Sequence, residues 1–453
     1  MKSLACLLVA LLLGACSSSD VSQEMPGDSV PDLVFEHVTV VPMDRERQLA
    51  GADLRFEDQT VVVRGDRIVA VGPHDEVEIR DNATVVDGRG KFLIPGLAEM
   101  HGHVPPPSAP VELTEETLFL YLSQGITTVR GMLGAPGQLD LRERANSGEV
   151  LSPTLYLAGP SFNGNSVSSP EQAVVMVQQQ VAEGWNLLKI HPGMTRAEFD
   201  AMAEAANEAG IRFGGHVPAA VGLARAIEMG QETFDHVDGY AEALNAATSP
   251  VDEAELATLV AQTREAGAWI VPTMALWEAL YGTLSLETLQ AYPELAYVSP
   301  GTRQSWENRV RQTLSGAGYD AAGAQRLIDA RNQILAALHA GGVRILMGTD
   351  APQLYSVPGF SLHREFPRME AAGMSPYEIL ESGTAHVGTY FANEDTFGLV
   401  KEGHRADLVL LNADPLASSA NLQRIAGVMV RGRWVPRADL DERLEAIRQA
   451  HAR

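Results

Sequence analysis

Residues 92–104 read FLIPGLAEMHGHV, an apolar run of strand character that ends in His101-Gly102-His103. Residues two apart in extended chain point to the same side, so both imidazoles can face one ion, and Gly102 leaves space between them. Seven further apolar cores follow: ITTVR at 126–130, TLYLAG at 154–159, NLLKI at 186–190, IRFGGHV at 211–217, ETFDHV at 232–237, WIVPT at 269–273 and RILMGT at 344–349. Amphipathic stretches such as AEFDAMAEAANEAG (197–210), VDEAELATLVAQTREAG (251–267) and QRLIDARNQILAALHAGG (325–342) separate many of them. Strands alternating with helices predict parallel βα units. Eight such units closing on themselves predict an α/β fold, a (β/α)8 TIM barrel, over residues 94–398. The step from Thr273 to Arg344 is 344 − 273 = 71 positions, more than one helix needs, so 274–343 is expected to hold extra helices or a lid.

Short alternating segments flank this region: VFEHVTVV, TVVVRG and RIVAVG before it, ADLVLLNADP and AGVMVRGRWV after it. They predict a small β-sandwich built jointly from 32–93 and 399–437, with a C-terminal helix over 438–453. Of 453 residues, 45% are hydrophobic and 20% charged, a globular balance that argues against a disordered or fibrous chain. With 34 basic against 58 acidic residues the net charge is −24, which repels nucleic acid and anionic membrane surfaces alike. No nucleic-acid partner is expected. The two cysteines, Cys6 and Cys16, both lie near the start, so the body has no disulfide framework and no cysteine zinc site.

Lys2 and the apolar run LACLLVALLLGA (4–15) have signal-peptide grammar, and 12 residues are too few to span a bilayer, which takes about 18 or more. Leu13-Gly14-Ala15-Cys16 resembles the lipobox of bacterial lipoproteins, and Ser17 after it resembles the outer-membrane sorting pattern. The resemblance implies a signal peptide over 1–15, lipidation of Cys16 and a tether over 16–31. It also implies a protein held in the bacterial cell envelope, on the outer membrane facing the periplasm, by an N-terminal lipid anchor.

On the expected barrel, His101 and His103 follow the first strand, Lys189 ends the fourth, His216 the fifth, His236 the sixth and Asp350 the eighth. A lone histidine is more often structural than a ligand, and a lone lysine in an apolar strand usually snorkels to solvent. Six such groups in order on the C-terminal face, where barrel active sites sit, point instead to one metal site.

Together with LLKIH, GGHVP, FDHVDG, MGTDAP, SLHREF and GHRADLVLLNADP, this pattern resembles the amidohydrolase superfamily over nearly all of 33–435. The lysine points to the binuclear branch of imidazolonepropionase-like and Xaa-Pro dipeptidase-like hydrolases. The resemblance implies two divalent ions, usually Zn2+, with His101, His103, Lys189 and Asp350 holding one and Lys189, His216 and His236 the other. Lys189 would be N-carboxylated by CO2, since an ammonium carries no lone pair and repels cations. Asp350 would act as general base and then general acid. Gly131 stands where many relatives have Asp, and His386 where the late helix commonly has Asn. His191 shares a strand face with Lys189 and reads as its support. Tyr240, His363 and Arg364, with Glu365, are candidate substrate-pocket residues, and Trp277, Tyr281, Tyr292 and Tyr297 cluster in the insertion.

The reading is an exported binuclear metal-dependent amidohydrolase that cleaves an amide bond in a dipeptide or N-acyl amino acid, with a homo-oligomer left open. A mononuclear deaminase or imidazolone-type cyclic amide hydrolase would use the histidines and Asp350 without a carbamate. An inert metal-binding envelope lipoprotein is the rival of another class.

Overall fold

The computed structural model describes residues 31–44 and 53–452; the expected signal peptide, Cys16 and the tether up to residue 30 lie outside the described residues. β1 (Leu33–Val40), β2 (Phe56–Arg64), β3 (Arg67–Pro73), β4 (Thr84–Asp87) and β5 (Phe92–Pro95) form the N-terminal flank. The barrel strands are β6 (Leu97–Gly102), β7 (Ile126–Gly131), β8 (Thr154–Leu157), β9 (Leu188–Ile190), β10 (Phe213–Gly215), β11 (Thr233–Asp235), β12 (Trp269–Val271) and β13 (Arg344–Ile345). β14 (Leu408–Leu411), β15 (Ile425–Val430) and β16 (Arg433–Pro436) return to the flank, and the helix Arg437–Ala450 follows directly.

The flanking strands make one mixed sheet ordered β16-β15-β14-β5-β1-β2-β3, with β4 on β1. It curls until the start of β3 meets the segment before β14: Ile68 N donates to His404 O at 3.0 Å and Gly403 N to Ile68 O at 2.9 Å. Phe35, Val38, Val61, Val63, Ile68 and Leu93 of one flank thus share a core with Leu408, Leu410 and Met429 of the other. β-Branched and aromatic side chains at alternate positions suit such a pleated, half-buried surface.

The change of sheet falls at Gly96, just past the expected boundary at 93–94. Its N–H donates to Asp407 O of the flank at 2.8 Å, while Leu97 N donates to Gly125 O of the barrel at 2.9 Å. The eight barrel strands are parallel but register as two sheets, β6-β7-β8 and β9 to β13. Backbone hydrogen bonds cross both seams: Phe162 N to Lys189 O at 2.8 Å on one side, Met100 N to Met347 O at 2.8 Å and Asp350 N to His101 O at 2.7 Å on the other. The second seam is irregular where Asp350 takes a left-handed backbone, φ 62°, which a strand ladder cannot accommodate.

Helices of the outer layer carry their own stop and start signals. Arg196–Ala209 begins in a capping box, Thr195 with Glu198, and ends at Gly210 with φ 68°. The expected excess between β12 and β13 is helical: Met274–Leu280, Leu286–Gln290, a 3-10 turn Pro293–Tyr297 and Pro300–Ser315 precede the long helix Ala321–Ala340. Arg364 pairs with Glu294, Arg368 with Glu278, and the Glu365 carboxylate accepts from Met274 N and Ala275 N at 2.9 and 2.7 Å. These bonds fasten the insertion to the helix Leu362–Ala371 as a fixed wall. Among the described residues, no helix is long and apolar enough to cross a membrane.

Gly96 offers a test of the junction. A Cβ there would lie 2.1 Å from Thr127 Oγ1 and 2.6 Å from its Cγ2, and Thr127 is buried in β7 with no room to withdraw. Gly96→Ala is expected to lower unfolding stability by about 1–3 kcal/mol, read as a fall in the denaturation midpoint.

Candidate metal centre

The six expected groups meet at the C-terminal ends of the strands. His103 Nε2 lies 2.6 Å from Asp350 Oδ1, and His101 Nε2 lies 3.6 Å from the same oxygen. His236 Nε2 faces the other oxygen, Oδ2, at 3.7 Å. Lys189 Nζ is 3.0 Å from His101 Nε2. The His216 ring centre lies 4.6 Å from that of His236, which lies 4.5 Å from that of His101. His101, His103 and Asp350 alone present ligand atoms all within 4.8 Å of one another, the spacing of a cation site.

Three of the imidazoles are turned by a partner on the far side of the ring. His101 Nδ1 lies 2.6 Å from Asp235 Oδ2, His216 Nδ1 2.6 Å from Asp238 Oδ2, and His236 Nδ1 2.6 Å from Thr273 Oγ1. A carboxylate only accepts, so His216, hydrogen-bonded at Nδ1, carries its proton there and keeps the Nε2 lone pair for the cluster; His101 Nδ1 lies close to Asp235 without making a hydrogen bond among the described residues. His236 Nε2 is buried with no hydrogen-bond partner among the described residues. A buried, unpartnered ring nitrogen of this kind, inside a set of imidazole and carboxylate groups, fits a divalent ion such as zinc.

The backbone is bent to deliver these groups. His236, Thr273 and Asp350 have φ of 64°, 47° and 62°, values uncommon for residues other than glycine and tolerated where the surroundings over-determine them. Gly215 (φ 121°) needs its missing Cβ, which would sit 2.6 Å from Ile190 O and 3.0 Å from the Lys189 side chain.

Burial sets the charge states. It pushes the Lys189 ammonium down to about 8, against the pull of Asp235 and Asp350. Burial, then Lys189, holds the His101 imidazole well below its usual range; burial, then His101, does the same for His236. Both rings are therefore neutral. Asp235 stays ionised: burial raises its carboxyl, but Arg130 and Lys189 outweigh this and hold it below the usual range. Glu99, raised to about 8 by burial, accepts from His101 N, Thr349 N and Thr349 Oγ1 at 3.0, 2.8 and 2.6 Å. It ties the two strand ends of the seam together.

The expected pocket residues each have partners of their own. Tyr240 is buried with its hydroxyl 2.5 Å from Thr263 Oγ1 on the helix Glu253–Glu265, so it packs between sheet and helix layer. His363 Nε2 bonds Gln124 Oε1 at 3.1 Å. Arg364 is engaged by Glu294 and lies over the Tyr292 ring. His191 stacks on His216 at 5.0 Å, beside the cluster, and Trp277 meets the edge of His236 at 5.7 Å. Tyr281 lies against Trp277, while Tyr297 stacks on Phe360.

Sequence reasoning passed over Asp235, Asp238, Thr273, Glu99 and Arg130. Phe-Asp-His-Val-Asp at 234–238 held a signal, since carboxylates flanking a ligand histidine commonly orient neighbouring imidazoles. Arg130 held another: a fixed charge in an apolar strand demands a buried partner.

The model of the Amidohydrolase family matches residues 92–435. An imidazolonepropionase of Alkaliphilus metalliredigens is 39% identical over 61 residues, and an adenine deaminase of Cenarchaeum symbiosum 25% over 154. These matches cover 12% and 32% of this chain, and 14% and 24% of those proteins' own lengths. Among solved structures, bottromycin amidohydrolase superposes with TM-score 0.71 at 23% identity, covering 92% of this chain and 90% of that one. A Xaa-Pro dipeptidase with bound methionine gives 0.67 at 20%, covering 89% and 100%. At these identities, what the solved structures share with this chain is the fold.

Arg130 supplies the test of this buried scaffold. Its guanidinium meets Asp235 at 3.1 Å with both groups fully buried. Arg130→Met keeps the length of the side chain but strands the carboxylate, at an expected cost of about 3–5 kcal/mol. Urea unfolding at neutral pH measures it.

Proposed function

The chain belongs to the amidohydrolase family, hydrolases acting on carbon–nitrogen bonds, and from that premise we propose that it is a binuclear enzyme that opens the amide bond of a dipeptide or N-acyl amino acid. One observation carries this reading: six potential ligands at the ends of five of the eight strands, with His216 and His236 hydrogen-bonded at Nδ1 by Asp238 and Thr273 and His101 Nδ1 set against Asp235. The prolidase- and Xaa-Pro dipeptidase-type neighbours support the choice of a peptide-like substrate.

His101, His103, Lys189 and Asp350 would hold one divalent ion, and Lys189, His216 and His236 the other. Such ions, zinc by the donor chemistry, supply Lewis acidity for the carbonyl and lower the pKa of water. Lys189 contributes through its depressed basicity, because a useful fraction of amine near pH 8 is free to react. The amine lone pair would attack CO2, forming a C–N bond as one carbonyl π pair moves to oxygen and a proton leaves; the resulting anionic carbamate would hold cations that an ammonium would repel. Asp350 would take a proton from the attacking water and pass it to the leaving nitrogen. We propose further that the protein is exported and held in the bacterial envelope through Cys16, a reading supported by its sequence pattern.

Incubating the zinc-loaded chain in bicarbonate with dipeptides, N-acyl amino acids, adenine and cyclic amides tests the reaction class; turnover only of adenine or cyclic amides sinks the dipeptidase reading. Asp350→Asn is expected to lower kcat about 10²–10⁴-fold, and wild-type turnover at equal metal content would exclude the proton shuttle. Lys189→Ala should lose metal and activity and regain part of both with added short carboxylic acids; full activity without them would refute the bridge. For the anchor, Cys16→Ala should abolish fatty-acid labelling, and labelled, membrane-bound mutant protein would refute the lipobox.

A further inference from the structure

We propose that Arg331, on the insertion helix Ala321–Ala340, is a positioning residue for the half of the centre built from His216 and His236; the proposal rests on the two-ion reading above. Its side chain is 1% exposed and reaches the strand ends, although it lies 95 positions from His236 in sequence. One guanidinium nitrogen, Nη1, donates to the His236 backbone carbonyl. The other, Nη2, donates to Asp238 Oδ1 at 3.3 Å and to the Tyr281 hydroxyl at 3.4 Å. The guanidinium lies over the Trp277 ring, 4.0 Å from its centre, and Trp277 in turn meets His236 edge-on at 5.7 Å.

Asp238 connects this anchor to the ligand. Its Oδ1 accepts from Arg331 and its Oδ2 from His216 Nδ1, the latter at 2.6 Å. A carboxylate held at both oxygens cannot turn toward a cation, so it fixes the His216 ring and proton instead. The bond to the His236 carbonyl acts on the backbone. His236 and Val237 are consecutive left-handed residues, φ 64° and 58°, a conformation that a β-branched residue adopts only when held. Arg331 holds the peptide between them. A lone guanidinium beside two cations would weaken their binding; paired with Asp238 it adds no net charge, and its effect is orientation. The insertion thereby becomes part of the metal site.

The test is a Co2+ titration of the metal-depleted full-length chain in bicarbonate, counting ions by visible absorption and chelator competition. Wild type should take up two. Arg331→Met and Asp238→Asn should keep the ion of His101 and His103 at wild-type strength and bind the second about 10–100-fold more weakly. The double variant should be weakened by less than the product of the two single effects, because the Asp238 carboxylate is shared while the bond to the His236 carbonyl belongs to Arg331 alone. Circular dichroism checks each fold; if Arg331→Met does not fold, the near-isosteric Asp238→Asn carries the test. Two ions at wild-type strength in the folded variants would overturn the positioning role and leave the two-ion reading standing. A wild-type chain that takes one ion would overturn that reading, and this assignment with it.

Discussion

The buried pair Arg130–Asp235 sets what the rest of the barrel can do. Withdrawing each ion from water costs several kcal/mol, and mutual attraction offsets this only when the remaining donors and acceptors are satisfied. They are: Arg130 donates to Met100 O at 2.6 Å, to Thr233 Oγ1 and Tyr390 OH at 3.2 Å, and to both oxygens of Asp235. One side chain of β7 therefore ties β6, β11 and the late helix Ala385–Tyr390 across the interior. Asp235, fixed from below, presents its Oδ2 to His101 above. The next residue along the chain is His236, so the same bond network sets where β11 ends and where its ligand emerges.

From this base upward, His101, His216 and His236 each meet a neighbouring side chain at Nδ1. Thr273 orients His236 from the end of β12, and Asp238 orients His216 from the turn after β11. Glu99 locks the seam between β6 and the chain after β13. Local rules are broken where this happens: non-glycine residues take left-handed φ at 236, 273 and 350, and the last strand is two residues long. Such exceptions cluster at functional sites because the scaffold around them supplies the compensating bonds.

The sequence made the barrel legible because its eight strand cores and intervening helices carry independent, local signals, and each core reappears as a strand within a few positions of its expected place. That the six candidate groups would lie together was legible for the same reason, as each stands at a strand end where position dictates the face it serves. What was not legible depends on contacts between distant segments. Tyr240 follows a ligand strand but turns its hydroxyl to Thr263, and Arg364 follows the eighth strand but is taken by Glu294. Side-chain direction in a loop or on a helix is set by packing, which spacing does not encode. The split of 92–102 between two sheets at Gly96 is of the same kind, since only the proximity of Thr127 and Asp407 reveals it.

The centre that results is unfavourable on its own terms. Neutral imidazoles and a low-basicity amine are packed where burial disfavours their charged forms, and the Nε2 of His236 meets no donor among the described residues. An unsatisfied buried polar atom costs about 1–3 kcal/mol. A bound cation would meet those groups with its charge, so its binding would relieve the penalty. Since only the folded chain presents the six groups together, cation binding and folding stability are linked. The Arg130–Asp235 pair is what holds the candidate donors in place from beneath.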